Sequence, residues 1–429
     1  MASSGVDAAA VAMLLIAAFG ATIGRSETTM KLNLGAVFMI GLFVSTAESQ
    51  TLLRRIDEDP EAGLSGVVVI ENCQLIQTSQ ILPVGDDGRL VGGSTDEQLD
   101  GALSQLDRIM KACGTARDRV VKINVYVADA SIRELVSKRL TDWFGRGSLP
   151  AVSYVATSLP LAGATAALDA VIASEEKDSA KLPSFGTFNE GGQKTDWSVM
   201  PRGDVVYVSG QAEPGELAEA TRATLDSLLR TIRHMELDRQ HIASIKCFLQ
   251  PMSQIGIVEQ EIKQFFGDAS IPPVSHVEWI SGSRPIEIEL IAYAPSTNEA
   301  ETVSFTAPPW LSTSPVFSRV ARIHGDRRIY TSGLYSTVDG DGEVQTRDIF
   351  RALQGLLAKS GSDLQHLAKA TYYVSDDDAS SQLNAIRPSI YDPQRPPAAS
   401  KAVVKDVAFD RRGITIDLIA APSNPATSN

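Results

Sequence analysis

Three stretches of the chain carry one pattern: VVKINVYVAD (120–129), IASIKCFLQP (242–251) and LAKATYYVSD (367–376). Tyr126, Phe248 and Tyr373 correspond, at spacings of 122 and 125 residues. Downstream of each lies a second anchor: LPAVSYV (149–155), IPPVSHV (271–277) and RPPAASKAV (395–403). Ser153, Ser275 and Ser400 repeat the same two spacings. Two independent anchors with matching intervals identify three copies of one unit, with a period far longer than that of a solenoid.

Each copy closes on an apolar run of strand character: ALDAVIA (167–173), IEIELIA (286–292) and ITIDLIA (414–420). Each is expected to open with a hairpin, at LIQTSQILP (75–83), VVYVSGQAEP (205–214) and RIYTSGLYS (328–336). Between hairpin and central strand, Leu99, Leu103, Leu106, Met110 and Cys113 recur at the three-to-four-residue step of a buried helical stripe. Leu225, Leu228, Leu229 and Ile232 do the same in the second copy, and Ile349, Leu353 and Leu356 in the third. A second helix is expected after the central strand, over 132–144 and 258–266. The order hairpin, helix, strand, helix, strand, strand is an α+β pattern. The units are expected at 65–174, 196–295 and 315–422, with polar linkers at 174–195 and 295–309.

The length of 429 residues alone allows two to four domains. With 43% apolar and 21% charged residues, the composition is globular. A net charge of −13 argues against a protein that grips phosphate backbones, so no nucleic-acid partner is expected. Cys73, Cys113 and Cys247 are too few and scattered for a disulfide framework or a CxxC site, and the five histidines lack metal-ligand spacing. VDGDGE (338–343) reads as a hairpin turn rather than a calcium loop. No metal and no cofactor are expected.

Residues 1–49 read as a leader. An apolar stretch at 8–24 is short for a membrane span. From Met30 the chain has a basic start at Lys31, an apolar core over Leu34–Val44, and Ala47 and Ser49 before a possible cut ahead of Gln50. Export to a periplasmic or extracellular location is expected, with no membrane span left once the leader is cleaved; the alternative is an uncleaved anchor.

A strand ending in SGQ or TSG, a helix ending near KACG (111–114), a KxxxYV strand, a Pro-x-x-Ser turn and an IEIExIA closing strand together resemble the RidA/YjgF family of reactive-intermediate deaminases. The resemblance implies chorismate-mutase-like units, each a mixed sheet backed by two helices. Family members are homotrimers with ligand clefts between subunits. Three copies in one chain therefore imply an intramolecular pseudo-trimer that is a monomer in solution.

The resemblance also implies a chemistry. In deaminating members the turn reads Pro-Ala-Arg-Ser; the Arg grips a substrate carboxylate and a glutamate on the closing strand activates water. Here the Arg position is Val152, Val274 and Ala399, and the glutamate position is Ala167, Glu287 and Thr415. Only Glu287 carries over as a candidate catalytic residue. Arg284 and Arg395, each near a turn, are candidates for a substitute cation. Ser153, Ser275 and Ser400 at the turns, and Ser209-Gly210 and Ser332-Gly333 on the opening strands, are candidate ligand contacts; Ser79-Gln80 in the first unit implies a different cleft there. Asp169, Glu289 and Asp417 are expected on a solvated sheet face. These residues imply an exported protein that binds a small metabolite at degenerate clefts, with little enamine or imine deamination. The alternative is an imine-type hydrolase at the unit-two cleft. A ribonuclease-like or translation-inhibitor role, from the family's older label, conflicts with the acidic charge and the expected export.

Overall fold

The computed structural model describes residues 52–85, 87–175, 180–188, 194–297 and 299–424; the leader expected at 1–49 lies outside them. The described residues open with a hairpin, β1 (Leu52–Asp59) and β2 (Leu64–Glu71). The first repeat follows as β3 (Gln74–Thr78), α1 (Thr95–Ala112), β4 (Val120–Val127), α2 (Arg133–Phe144), β5 (Ala151–Ala156) and β6 (Ala166–Ser174). A second hairpin, β7 (Ser184–Gly186) and β8 (Trp197–Met200), leads into β9 (Asp204–Gln211), α3 (Leu217–His234), β10 (Ile242–Leu249), α4 (Ile255–Phe266), β11 (Val274–Glu278) and β12 (Ile286–Ala294). The third set is β13 (Val303–Thr306), β14 (Val320–Ile323), β15 (Arg328–Thr331), α5 (Gly342–Ser360), β16 (Leu367–Val374), α6 (Asp377–Ile390), β17 (Ala398–Val403) and β18 (Ile414–Ala420).

These strands make three mixed six-stranded sheets of the same order: β5-β4-β6-β3-β8-β7, β11-β10-β12-β9-β14-β13 and β17-β16-β18-β15-β2-β1. The parallel pair in each (β4 with β5, β10 with β11, β16 with β17) is joined by the second helix of its repeat, because a parallel connection needs a crossover. Local signals start the helices. Ser94 and Glu97 form a capping box at α1, and Leu99, Leu103, Leu106 and Met110 are its buried stripe. Asp341, expected in a hairpin turn, instead caps α5 by accepting from the Val344 N–H at 3.0 Å.

The expected opening hairpins are not hairpins. Each of those stretches supplies one sheet strand (β3, β9 or β15), and the two-stranded unit beside it comes from elsewhere in the chain. Residues 184–186 and 303–306, in the stretches expected to be linkers, are strands. β7–β8 precedes β9 in sequence but pairs with β3; β13–β14 pairs with β9; β1–β2 pairs with β15. Every repeat thus lends its leading hairpin to the sheet of another, and the first hairpin completes the last sheet.

Alternation along the strands divides each sheet into two faces. On β12, Ile286, Ile288 and Leu290 pack under α3 and α4, while Glu287, Glu289 and Ile291 point the other way. The faces without helices turn toward one another about a pseudo-threefold axis. One apolar layer there joins Leu75, Val171, Tyr207, Tyr330 and Ala368; another joins Tyr126, Phe248, Tyr373, Val155 and Val277. The aromatic residues that reveal the repeat therefore meet in one cluster drawn from all three copies. Among the described residues no helix is long and apolar enough to cross a membrane.

Candidate functional site

Where the opening strand of one repeat meets the turn strand of the next, the three junctions differ. Backbone register aligns Ala167, Glu287 and Thr415 opposite Tyr126, Phe248 and Tyr373. At the first junction Gln80 closes the gap. Its side-chain amide donates to the His276 carbonyl at 3.2 Å, and its side-chain oxygen accepts from the His276 N–H at 3.3 Å. The His276 ring turns toward Lys194 and Glu259; burial pulls it down to about 4, so it is neutral at pH 7. At the junction of the third and first repeats, Tyr335 stacks on Phe409 at 3.7 Å, with Tyr154 edge-on to Phe409 at 6.1 Å. Gly333 N–H donates to the Val152 carbonyl at 3.0 Å, and Ser332 Oγ accepts from Val152 N–H at 2.8 Å.

The junction of the second and third repeats is open. A cleft of about 470 Å³ is lined by Gly210, Ala212, Glu287, Arg319, Arg387 and Lys401, among others. Ala212 and Lys401 stand where the closed junction has Tyr335 and Tyr154, so small and flexible side chains replace the aromatic plug. Burial, together with the nearby Glu289 carboxylate, pushes the Glu287 carboxyl up to about 7; Ser400 and Arg319 act in the opposite sense. Arg319 is held by Ser312, whose carbonyl accepts from Nε at 2.9 Å and whose Oγ accepts from Nη2 at 2.7 Å. Arg387 lies over the Tyr372 ring at 4.8 Å and donates from Nη2 to Asn384 Oδ1 at 2.6 Å. Its Nε is buried with no hydrogen-bond partner among the described residues. Lys401 donates to Ser380 Oγ at 2.9 Å. Among the described residues none of these three cations has a carboxylate within ion-pair distance.

Behind the clefts, on the axis, lies a polar cavity of about 70 Å³. Asp169, Glu289 and Asp417, expected on a solvated face, face this cavity instead. Their strands alternate as a half-solvated sheet would, but their polar side meets the other two sheets rather than water. Lys122 donates to Asp417 Oδ1, Ser153 Oγ and the Thr331 carbonyl, each at 2.6 Å. Lys369 pairs with Glu289 at 2.8 Å. Ser275 donates to Asp169 and Ser400 donates to Glu289, both at 2.6 Å. The three turn serines thus share one environment, each bonded to a charged group of the cavity. Ser400 also accepts from Gly210 N–H at 3.1 Å, which ties the open cleft to the cavity.

The model of the endoribonuclease L-PSP family matches residues 57–165 and 312–421, together about half of the chain. The chain belongs to this family. Its L-PSP relatives include the mitochondrial protein mmf1 of Schizosaccharomyces pombe, 29% identical over 115 residues (26% of this chain, 69% of mmf1). HMF1 of Saccharomyces cerevisiae is 31% identical over 70 residues (16% of this chain, 54% of HMF1). Similar solved structures include a YjgF-family protein of Neisseria meningitidis, at 21% identity and TM-score 0.22, covering 29% of this chain and 98% of that one. A Rid-family protein of Yersinia pestis has 19% identity and TM-score 0.27, covering 28% and 98%.

Within this L-PSP chain the structure brings Glu287, Gly210 and Ser400 together at the open cleft. Ser209 precedes them with its hydroxyl buried and unpartnered among the described residues. Ser332, Gly333 and Ser153 gather at the aromatic-closed junction, and Ser275 at the glutamine-closed one. Arg284 donates to the carbonyl of Ala212 at 3.2 Å, at the edge of the open cleft. Arg395 lies away from it, bonded to Glu301 and to the carbonyls of Gln365 and Val303. The cations that do line the cleft, Arg319, Arg387 and Lys401, were not candidates from the sequence. Lys401 had a legible signal, since it follows the turn serine directly. Arg319 had none, because it reaches the second repeat only through the crossed hairpin β13–β14.

Proposed function

We propose that the protein binds a small carboxylate-bearing metabolite in the cleft between its second and third repeats, with little of the family's enamine or imine deamination. One observation carries this: the open junction is the one that keeps Glu287 and gathers Arg319, Arg387 and Lys401 with no carboxylate within ion-pair distance among the described residues, in a chain of net charge −13. The turn residue that grips substrate in deaminating relatives is Ala399 here. Arg319 supplies a cation from a different element and direction, which favours holding an anion over the family's usual reaction geometry. The proposal includes export through the leader and a monomeric state, supported by residues 30–49 and by three sheets completed within one chain.

The test is calorimetric titration of the full chain with butyrate, beside an assay of ammonia release from 2-iminobutanoate. Saturable butyrate binding that Arg319→Gln weakens by about 10-fold or more, with ammonia release near background, supports the proposal. Absence of binding, or turnover matching an Arg-bearing relative, sinks it. A second reading, hydrolysis at this cleft, is favoured by one feature: Glu287 sits near neutral pKa in a cleft, as a general acid or base must. Turnover abolished in Glu287→Gln would establish it.

A further inference from the structure

The cations of the open cleft fall into two groups. Arg319 comes from the segment leading into β14 and acts electrostatically on Glu287, so these two make one group. Arg387 and Lys401 come from α6 and β17 of the third repeat and form the second group. They share Asn384, whose Oδ1 accepts from Arg387 at 2.6 Å and from Lys401 at 3.3 Å. Two cations held by one neutral amide, with no acid between them, are an unbalanced pair. Arg387 is only 6% exposed, and its buried Nε has no hydrogen-bond partner among the described residues, so its guanidinium is incompletely satisfied within the protein. Burial and the neighbouring Arg387 charge both pull the Lys401 ammonium down, as expected where a counter-ion is missing. One anionic group at Arg319 leaves this second pair unanswered.

We infer that the ligand is a small organic dianion: one acidic group beside Arg319 and Glu287, and a second acidic group held between Arg387 and Lys401. This rests on the anion-binding role proposed above and adds its ligand class. A planar guanidinium and an ammonium side by side suit either a second carboxylate or a phosphate ester. A cleft of about 470 Å³ has room for a molecule that spans both groups.

The experiment titrates the full chain at pH 6, where Glu287 is mostly protonated, with three probes of similar size: butyrate, succinate and 2-phosphoglycolate. Succinate or phosphoglycolate is expected to bind at least about 10-fold tighter than butyrate, and the tighter of the two identifies the second acidic group. Lys401→Gln and Arg387→Gln are expected to erase that preference, lowering the affinity for the dianion at least about 10-fold more than that for butyrate. Arg387 stacks on Tyr372, so its variant is checked by circular dichroism; Lys401, half-buried at the cleft edge, carries the test alone if Arg387→Gln does not fold. Equal affinities for all three probes, or a preference unchanged in Lys401→Gln, overturns the dianion. Butyrate binding without dianion preference overturns this inference alone; failure of every probe to bind overturns the proposed function with it.

Discussion

Glu287 and Gly210 compete for one space. The Glu287 carboxylate, from β12, lies against the backbone of Gly210 on the adjacent strand β9, where any Cβ would collide with it. The first repeat shows the reciprocal arrangement: Gln80 has a side chain and Ala167 stands at the glutamate position. A large residue at one position requires a small one at the other, so the acid and the glycine form one structural unit of the open cleft.

Gly210→Ala should therefore move the Glu287 carboxylate without unfolding the protein, because the clash is with the end of a flexible side chain. Thermal stability should change by no more than about 1 kcal/mol, while butyrate affinity falls by about 10-fold. Paired melting curves and titrations of the two proteins check this.

Glu287 should make stability depend on pH. Its folded pKa, about 7, lies above the ordinary carboxyl value, so folding favours the protonated form. The contribution is fully present below about pH 4.3 and is lost as pH rises through 7. It should be on the order of 2 kcal/mol, reduced from the full shift because the group lines an open cleft. Urea titrations at pH 5 and pH 8 should show Glu287→Gln nearly flat across this window and more stable than the parent at pH 8. Anion affinity should fall over the same range as Glu287 gains its charge.

Lys122→Met should be costly. It leaves Asp417 buried in the axial cavity without its nearest cation, a loss of about 3–5 kcal/mol. Asp417→Asn in the same chain should restore much of it, because the stranded charge is gone. Burial pushes the Asp417 carboxyl up, but Lys122, Lys369 and Lys246 together hold it below the ordinary range. Its stabilising effect is thus present above about pH 4 and lost as pH falls through the depressed value. Urea midpoints of the single and double variants, with an acid titration of the parent, test both statements.

Ala399→Arg places an arginine in the turn position beside Glu287. Ammonia release from 2-iminobutanoate should rise at least about 10-fold over the parent. No rise would show that the turn arginine is not what the cleft lacks for this reaction.

The sequence carried the repeat, the α+β order and both helices of each copy, because these are local patterns: an aromatic strand, a Pro-x-x-Ser turn, a stripe at helical spacing. The glutamate position was legible as well, and strand register aligns Ala167, Glu287 and Thr415 opposite the repeated aromatics. Partner choice was not. β7 has three residues and β13 four, too short to announce themselves, and each joins the sheet of another repeat only through its hairpin partner, β8 on β3 and β14 on β9, strands over a hundred residues apart in sequence. Asp169, Glu289 and Asp417 looked solvated because alternation records only that a face is polar, not whether water or another sheet meets it. Arg319 was hidden for the first reason and the axial lysine–carboxylate pairs for the second.

The crossed hairpins give the chain an order that cannot be cut into pieces. A break between any two repeats parts a hairpin from the sheet it finishes, so no single copy can be lifted out with its edges covered. The clasp between β2 and β15 matters most, because it links sequence positions more than 250 residues apart. Removing residues 52–71 would bare the β15 edge along Arg328–Thr331 and invite pairing with any other free strand. A second molecule carries the fitting piece already. Two chains that traded their first hairpins would form a dimer in which every contact is one the monomer makes with itself.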